Sequence, residues 1–327
     1  MTARSALAVA LLAALGCRSA RPAPTVLPER ADQETALPDA GTPLAAVPRD
    51  AGSVPGPGDL EARASEAWTH RDDPAALDRS IELWEEAVLR EGEPAEALLG
   101  AARARRERAQ TLLARANSAS AEAQGNAAEL LFAAGQDAQV CSAEAHRSWA
   151  ALAAPDAGQV GALPDKPLPA AVEAIYLEAV CAADWARTQG FTQLVERRAE
   201  IRDALQLAAD QQPDLDNAGP DRELGRLLSS LPAYAGGDLR EARLHLEAAI
   251  GRAPLAPANH LLYARAIAVK LQDRALFEAQ LGAVLEAPAV SGEDRRAVAE
   301  AHELLLREDD LFGPSQAAQK TPGVPAR

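Results

Sequence analysis

Apolar residues recur at helical spacing over most of the chain between about residues 60 and 312. Leu194, Ile201, Leu205 and Ala208, for example, lie on one stripe of a predicted helix. Further stripes consist of Trp84, Ala87 and Val88; of Leu224, Leu227, Leu228 and Leu231; of Tyr263, Ile267 and Leu271; and of Leu276, Leu281 and Leu285. No alternating run is long enough for a strand. The pattern therefore predicts an all-α domain.

Turn and cap signals divide this helical pattern. Asp72-Asp73-Pro74 forms a predicted turn, and Gly236-Gly237-Asp238 predicts a turn between antiparallel helices in which glycine supplies a positive φ. Ser291 with Asp294 resembles a capping box that opens the last long helix. Asp309-Asp310 near a helix end opposes the helix dipole, which predicts a salt-bridge partner.

Two stretches share the spacing of the second helix of tetratricopeptide (TPR) repeats. They are Ala242-x3-Leu246-x2-Ala249-x4-Pro254 and Ser80-x3-Trp84-x2-Ala87. Small residues at these positions let helices cross closely, and the large residue fills the hole beside them. The two copies are not a clean multiple of the 34-residue repeat apart. We therefore predict an irregular TPR-like helical array, an α-α superhelix, rather than a regular solenoid.

Composition supports this fold class and excludes one class of partner. The chain has 48 % hydrophobic residues, many of them alanine, and only 3 % aromatic residues. Alanine is the strongest helix former, whereas β-sandwiches need β-branched and aromatic residues. Lys plus Arg total 33 against 48 Asp plus Glu, for a net charge of −15. Such an excess repels phosphate backbones, so we expect no nucleic-acid partner.

Residues 1–16 have the pattern of a secretory signal peptide. Arg4 supplies the positive charge, and residues 6–15 form an apolar run too short to span a bilayer. The junction Gly16-Cys17 resembles the lipobox of bacterial lipoproteins, although Ala14 replaces the usual leucine three residues before the cysteine. We expect Cys17 to be lipidated. Ordinary cleavage after Ala14-Leu15-Gly16 is the alternative, and it cuts the same bond.

Proline and glycine content predicts the remaining boundaries. Residues 17–58 contain 8 prolines without a periodic apolar pattern, which indicates a disordered tether behind the lipid. Residues 59–312 form the predicted helical domain, residues 155–169 an internal loop within it, and residues 313–327 a disordered tail. The residue after Cys17 is Arg18 rather than Asp, which favours the outer membrane. No apolar run long enough for a transmembrane helix follows the signal, so we expect the lipid to be the only membrane attachment.

Catalytic motifs are missing from the sequence. It contains no H-E-x-x-H, P-loop, G-x-S-x-G or C-x-x-C motif. His302-Glu303 begins like a zinc-protease motif, but Leu306 stands where the second histidine is required. We therefore predict no catalytic residue, no metal site and no cofactor.

Cys141 and Cys181 lie on predicted helices with apolar neighbours. In an oxidising compartment they could pair and join the helices on either side of the internal loop. The alternative is two buried thiols that pack as small hydrophobic side chains. Spacing along the chain does not reveal the Cα separation, and we favour the buried thiols.

The order of motifs in the C-terminal half resembles one family. Residues 227–238 (LLSSLPAYAGGD) are followed by Ala242-x3-Leu246-x2-Ala249, Tyr263-Ala264, Gln272-Asp273, Leu276-Phe277-Glu278, residues 284–288 (VLEAP) and residues 309–312 (DDLF). This order resembles the T component of TRAP-type transporters, which are periplasmic lipoproteins with a TPR-like fold. The resemblance covers residues 169–312 well and residues 64–155 more loosely, with residues 129–132 (ELLF) in an equivalent place.

The resemblance implies an accessory role in transport. A member of this family would be a helical homo-oligomer, a trimer, anchored in the periplasm. It would dock a periplasmic substrate-binding protein, the P component, and assist uptake of a hydrophobic or lipid-like ligand. The family offers no short ligand motif, so no ligand-binding residue is assigned. A generic TPR-like scaffold lipoprotein for envelope assembly is the alternative function.

Overall fold

The computed structural model describes residues 58–118, 121–153 and 168–313, which all lie in one compact unit, residues 53–327. These residues contain no strand. The first helices are α1 (Asp59–Thr69), α2 (Pro74–Glu91), α3 (Ala95–Asn117), α4 (Ala121–Ala153), α5 (Pro169–Gln189) and α6 (Phe191–Gln211). The next are α7 (Gly219–Ser230), α8 (Leu239–Arg252), α9 (Pro257–Tyr263), α10 (Val269–Leu271), α11 (Arg274–Glu286), α12 (Gly292–Leu306) and α13 (Glu308–Phe312). The all-α prediction is confirmed, whereas the TPR-like arrangement stays a prediction.

Several predicted segments lie outside the described residues. They are the signal peptide (1–16), the tether (17–58) with Cys17 except for Gly58, the internal loop (155–169) up to residue 167, and the tail beyond Gly313. Those boundaries remain predictions.

Helices α3, α4 and α5 pack side by side in alternating directions. Ser148 Oγ near the end of α4 donates to the Ala95 carbonyl at the start of α3, at 2.8 Å. Cys141 of α4 lies beside Cys181 of α5. Helix α5 is buried over most of its length and carries many alanines, so its neighbours approach it closely. It is the centre of the largest apolar cluster.

The predicted apolar stripes of α6 and α7 are buried. Leu194, Ile201 and Leu205 are at most 5 % exposed and join the α5 cluster together with Leu224 and Leu227. Burying each such side chain contributes about 1.5–3 kcal/mol. These stripes therefore hold α6 and α7 against the central helix, as predicted.

Two glycines are required by close contacts. A Cβ added at Gly100 of α3 would lie 2.4 Å from Cε2 of Trp84, so only glycine lets the indole of α2 pack flat on α3. A Cβ at Gly237 would lie 1.8 Å from the Leu231 carbonyl oxygen. Its neighbour Gly236 has φ 91°, which confirms the predicted positive-φ turn before α8.

The predicted caps are present. The Ser291 side chain accepts from the Asp294 amide and the Asp294 side chain accepts from the Ser291 amide, which is a complete capping box for α12. Asp73 caps α2 ahead of Pro74, which occupies the first turn. Asp309 lies 3.0 Å from Arg274, so the expected salt-bridge partner is present. The reason given for it is wrong, because Asp309 and Asp310 lie in the first turn of α13, where acidic side chains favour the helix dipole instead of opposing it.

One predicted stripe is wrong in part. Tyr263 and Ile267 are buried, but Leu271 is 47 % exposed. Residues Ala264–Ala268 form a π-helical segment between α9 and α10. A π-helical turn inserts an extra residue and rotates everything after it, so a spacing of four no longer keeps one face. Leu285 is likewise 36 % exposed, and Phe277, Leu281 and Val284 form the buried face of α11 instead.

Candidate functional site

Three cysteines were predicted from sequence as site residues. Cys17 lies outside the described residues, and Cys141 and Cys181 form a disulfide bond. Cys141 and Cys181 are joined as a disulfide with a Cα separation of 6.0 Å, and both are buried. The preference for two thiols is therefore corrected. Spacing along the chain does not report how α4 and α5 are placed, and their antiparallel packing sets the two Cα atoms within disulfide range.

A polar cavity of about 300 Å³ lies where α1, α3, α5, the loop before α7 and the start of α12 meet. Its lining includes Trp68, Arg71, Arg106, Tyr176, Asp216 and Glu293. Ionisable side chains thus come together here from elements far apart in the sequence.

Asp216 is the centre of the hydrogen bonding in this cavity. Arg106 Nη1 and Arg222 Nη2 donate to its Oδ2 at 2.9 and 3.0 Å, and the Tyr176 hydroxyl donates at 2.7 Å. Burial alone raises the pKa of a carboxyl group, but the two guanidinium groups outweigh it and hold the pKa of Asp216 well below its usual range. Asp216 is therefore ionised at neutral pH, and its negative charge is shared by buried Arg222 and part-buried Arg106.

The backbone that carries Asp216 has an unusual conformation. Asp216, Asn217 and Ala218 have φ values of 52°, 55° and 62°, so three successive non-glycine residues are left-handed. Asp and Asn tolerate this region better than other non-glycine residues, so the cost of about 1–2 kcal/mol applies chiefly to Ala218. The side chain of Asn259 donates to the Asn217 carbonyl at 3.1 Å, and Arg222 Nη1 donates to the Asp216 carbonyl at 3.2 Å. These bonds stabilise a conformation that the sequence disfavours, at the wall of the cavity.

Two further arginine pairs hold the cavity walls together. Arg103 of α3 donates to both carboxylate oxygens of Glu173 on α5, at 2.6 and 2.8 Å. Arg296 of α12 donates to Glu107 of α3 at 2.7 Å. The bidentate pair is the stronger geometry. Helix α3 is thus bound through arginine pairs to both α5 and α12.

A second cleft, of about 490 Å³, lies between α2, α3 and α12. We name it the arginine cleft. Its apolar lining consists of Pro74, Leu77, Leu112 and Ala299. Its charged lining consists of Arg71, Arg108, Arg115, Arg295 and Arg296 with Asp72, Asp78 and Glu107. It shares Arg71, Glu107, Gly292 and Arg296 with the polar cavity, so the two spaces adjoin.

The arginines of this cleft are not equally paired. Arg108 lies 2.9 Å from Asp78 and Arg296 lies 2.7 Å from Glu107, and Arg295 pairs with Asp72. Within the part of the chain that the structure describes, neither Arg71 nor Arg115 forms an ion pair. Arg71 instead lies over the Trp68 ring, 4.5 Å from its centroid, and donates to the Trp68 carbonyl at 3.2 Å. Two of the five arginines that line the cleft therefore lack a carboxylate partner among the described residues.

Another charged cluster lies between α2, α3 and α4. Arg105 of α3 lies 3.1 Å from Asp137 and 3.4 Å from Glu144, both on α4, and also pairs with Glu85 of α2. Three carboxylates therefore share one guanidinium group. Glu144 is buried, and desolvation raises its pKa to about 7 in spite of Arg105. Arg108, which lines the arginine cleft, also donates to Asp137 at 2.6 and 2.7 Å, so this cluster holds α4 against the cleft-lining helix α3, and we assign it a structural role.

The sequence analysis selected none of these arginines. A signal existed, because Arg103, Arg105, Arg106 and Arg108 follow one another within six residues of an acidic chain. Successive residues of a helix point in different directions, so this run sends arginines towards several neighbours at once. Which acids would meet them depended on the packing of α4, α5 and the loop before α7.

Neither a metal site nor a membrane-spanning helix is found in the described ranges 58–118, 121–153 and 168–313. No group of three or more His, Cys, Asp and Glu side chains in them is placed to hold a metal ion. No helix in them is long and apolar enough to cross a bilayer.

Comparison with known proteins gives one family. A family model described as TRAP transporter T-component matches residues 92–312, about two thirds of the chain. The match includes α3, α12 and the Asp216 loop, whereas Arg71, Leu77 and Asp78 of the arginine cleft precede it. No curated protein gives a significant match.

Proposed function

The chain belongs to the TRAP transporter T-component family, and from this membership we propose that it docks a periplasmic substrate-binding protein and assists uptake of a hydrophobic ligand. The family is an accessory family of TRAP transport and is associated with the cell envelope. The observation that carries the proposal is the family match over residues 92–312. We assign the chain no catalytic role, since the family is one of transport accessories.

The arginine cleft supports a ligand with an apolar part. Its volume of about 490 Å³ lies within the range of roughly 300–1,000 Å³ that is usual for small-molecule sites. Pro74, Leu77, Leu112 and Ala299 offer such a ligand an apolar wall. The polar cavity is lined mostly by charged and polar side chains and lends this part of the proposal less support.

We also propose a periplasmic location through a lipid on Cys17, attached to the outer membrane, with residues 17–58 as the tether. The disulfide between Cys141 and Cys181 agrees with an oxidising compartment. Membrane-extracted protein should carry a diacylglycerol-modified N-terminal Cys17 by intact mass. Cys17→Ser should release a folded domain into the soluble periplasmic fraction. A wild-type protein recovered unmodified in that fraction would contradict the anchor.

Assembly as a homotrimer is part of the same proposal and rests on the family alone. A scaffold for envelope assembly is the second candidate, since an α-helical array also suits protein–protein binding. Cross-linking of the tagged chain in intact cells, followed by mass spectrometry, separates the two. Capture of a TRAP substrate-binding protein supports docking. Capture of envelope-assembly proteins without it supports the scaffold.

The cross-linking needs a matched control. The same tag on a signal-bearing, unrelated periplasmic domain should capture no substrate-binding protein. Light scattering of the purified chain then reports the number of copies, with a stable monomer contradicting the trimer.

A further inference from the structure

We infer that the arginine cleft binds a single-chain amphiphile whose headgroup is an anion, with Arg71 and Arg115 as the residues that receive the headgroup. This inference rests on the proposed function, because it specifies the chemistry of the hydrophobic ligand. A purely apolar ligand would leave Arg71 and Arg115 without an anionic partner.

The charge of the cleft is the first argument. Five arginines face three carboxylates in its lining, which leaves two positive charges in excess, on a chain whose net charge is −15. The three carboxylates are each paired with Arg295, Arg108 or Arg296, and Arg108 is also paired with Asp137, outside the lining, at 2.6 Å. The excess positive charge therefore lies on Arg71 and Arg115. A cleft that concentrates positive potential on an acidic protein attracts anions and repels cations.

The two uncommitted arginines are the second argument. Arg71 lies in the loop between α1 and α2, and Arg115 lies near the end of α3. Arg108, Arg295 and Arg296 would have to break an ion pair before binding an anion, whereas Arg71 and Arg115 would not. A guanidinium group binds a carboxylate or phosphate in a two-pronged arrangement, so an oxyanion headgroup suits them.

The apolar wall gives the third argument. Leu77 and Leu112 come from α2 and α3, and Ala299 comes from α12, so the wall is built from three different helices. A small polar anion such as acetate would leave this wall in contact with water. An aliphatic chain would cover it, at roughly 0.8 kcal/mol per buried methylene group.

Trp68 provides a readout inside the site. Its ring carries the Arg71 guanidinium 4.5 Å from the centroid and lines the adjoining polar cavity. If Arg71 turns towards a headgroup, the environment of the indole changes. Ligand binding should therefore alter the Trp68 fluorescence, and the change should be missing in Trp68→Phe.

The test compares three probes on the purified, folded chain by calorimetry and fluorescence. Decanoate has a headgroup and a tail, 1-decanol has the tail with an uncharged head, and butanoate has the headgroup with a short tail. We expect saturable binding of decanoate, below its micelle concentration, with at least tenfold weaker binding of the other two. Equal binding of decanol overturns the anionic headgroup, and equal binding of butanoate overturns the apolar tail.

Variants assign the headgroup site. Arg71→Gln should weaken decanoate binding about tenfold, the usual effect of losing one hydrogen bond to a charged group, and leave the weaker decanol binding unchanged. Arg115→Gln should act in the same direction. Arg63→Gln is the matched control, because Arg63 is an exposed arginine on α1 outside both cavities, and it should bind as wild type. Wild-type decanoate affinity in both cleft variants overturns the assignment.

A competition experiment distinguishes the source of the anion. In it, decyl phosphate, which has a phosphate headgroup on the same tail, displaces bound decanoate. Tighter binding of decyl phosphate would indicate a phosphate-headed lipid as the ligand, and tighter binding of decanoate would indicate a free fatty acid. Either result supports an anionic amphiphile. Absence of binding by either overturns it. Capture of the substrate-binding protein in the cross-linking experiment is independent of these results, so docking can stand while the ligand inference fails.

Discussion

Helices α3 and α8 both bury an apolar face and both form ion pairs with other elements, but a run of four bridging arginines is found on α3, whereas the ion pairs of α8 come from Glu241, His245 and Arg252. Helix α3 sends Arg103, Arg105, Arg106 and Arg108 to carboxylates of other elements. Helix α8 presents Ala242, Leu246 and Ala249, each 0 % exposed, to α7 and α9. Leu246 packs so closely that a Cβ on Gly225 of α7 would lie 2.5 Å from its Cγ.

The two helices show which contacts of this molecule depend on particular charged partners and which depend only on the shapes of apolar side chains. An apolar contact depends on shape and is insensitive to pH, whereas a buried charge pair needs both partners and responds to protonation. The helix with the charged contacts is also the one that lines the polar cavity and the arginine cleft. The charge pairs of α3 thus hold the walls of the polar cavity and the arginine cleft in place, and the apolar contacts of α8 stabilise the C-terminal half.

The largest loss of stability is expected at Asp216, which joins the arginine bridges of α3 and α7. Asp216→Asn would remove the carboxylate that part-buried Arg106 and buried Arg222 share, while Arg222 keeps Glu223 and Glu293 at 3.5 and 3.6 Å. The loss should cost about 3 kcal/mol of the free energy of unfolding. Denaturant unfolding at neutral pH measures it. Asp214→Asn, in the same loop but 85 % exposed, is the control and should change little.

The same variant has a defined pH dependence. Because the pKa of Asp216 is lowered in the folded state, its stabilisation is present above the unfolded value near 3.8 and is lost as the pH falls through the folded pKa. The difference in unfolding free energy between wild type and Asp216→Asn should therefore decrease at acidic pH. A gap that is small at neutral pH would show that the arginine bridges contribute nothing to α3.

A smaller effect is expected on the apolar side. Ala249→Leu would overfill the contact between α8 and its neighbours and should cost about 1–3 kcal/mol, independent of pH. Thermal unfolding measures it. The adjacent Ala248 is exposed, so Ala248→Leu is a matched control with the same change in volume. Equal melting of the two variants would mean that this face of α8 does not pack as described.

The smallest change in stability is expected at Glu144, and it depends on pH. Burial raises the pKa of Glu144 from its ordinary value of 4.5 to about 7, so the folded state binds the proton more tightly than the unfolded state. Its contribution is full below about pH 4.5 and is lost as the pH rises through 7. Glu144→Gln should therefore be more stable than wild type at pH 8 by about 1–2 kcal/mol.

Melting temperatures of both proteins between pH 5 and pH 8 test this expectation. Wild type should lose more stability than Glu144→Gln over that interval. Glu129→Gln replaces an exposed carboxylate on the same helix and should follow wild type. If the melting temperatures of all three proteins changed equally with pH, Glu144 would not be titrating in this interval.

Local signals in the sequence predicted most of the elements but little of the candidate site. The stripes of α6 and α7, the caps of α2 and α12 and the Gly236 turn each depend on residues a few positions apart. The prediction for Leu271 was wrong because a π-helical segment shifts the register without changing the hydrophobic pattern before it. The polar cavity draws on residues more than 200 positions apart, from Trp68 to Glu293, and no periodic pattern connects them.

The sequence by itself determined that this is an all-α protein with the motif order of a TRAP transporter T-component, because helical spacing, caps and turns act over one or two turns of chain. It also contained the run of arginines in α3, without their partners. Only the tertiary structure decided that Arg106 meets Asp216, that Cys141 meets Cys181, and that Arg71 and Arg115 share one cleft with Leu77 and Leu112. Charge pairs, disulfides and clefts form between elements distant in sequence, so they depend on how the helices pack rather than on how each one forms.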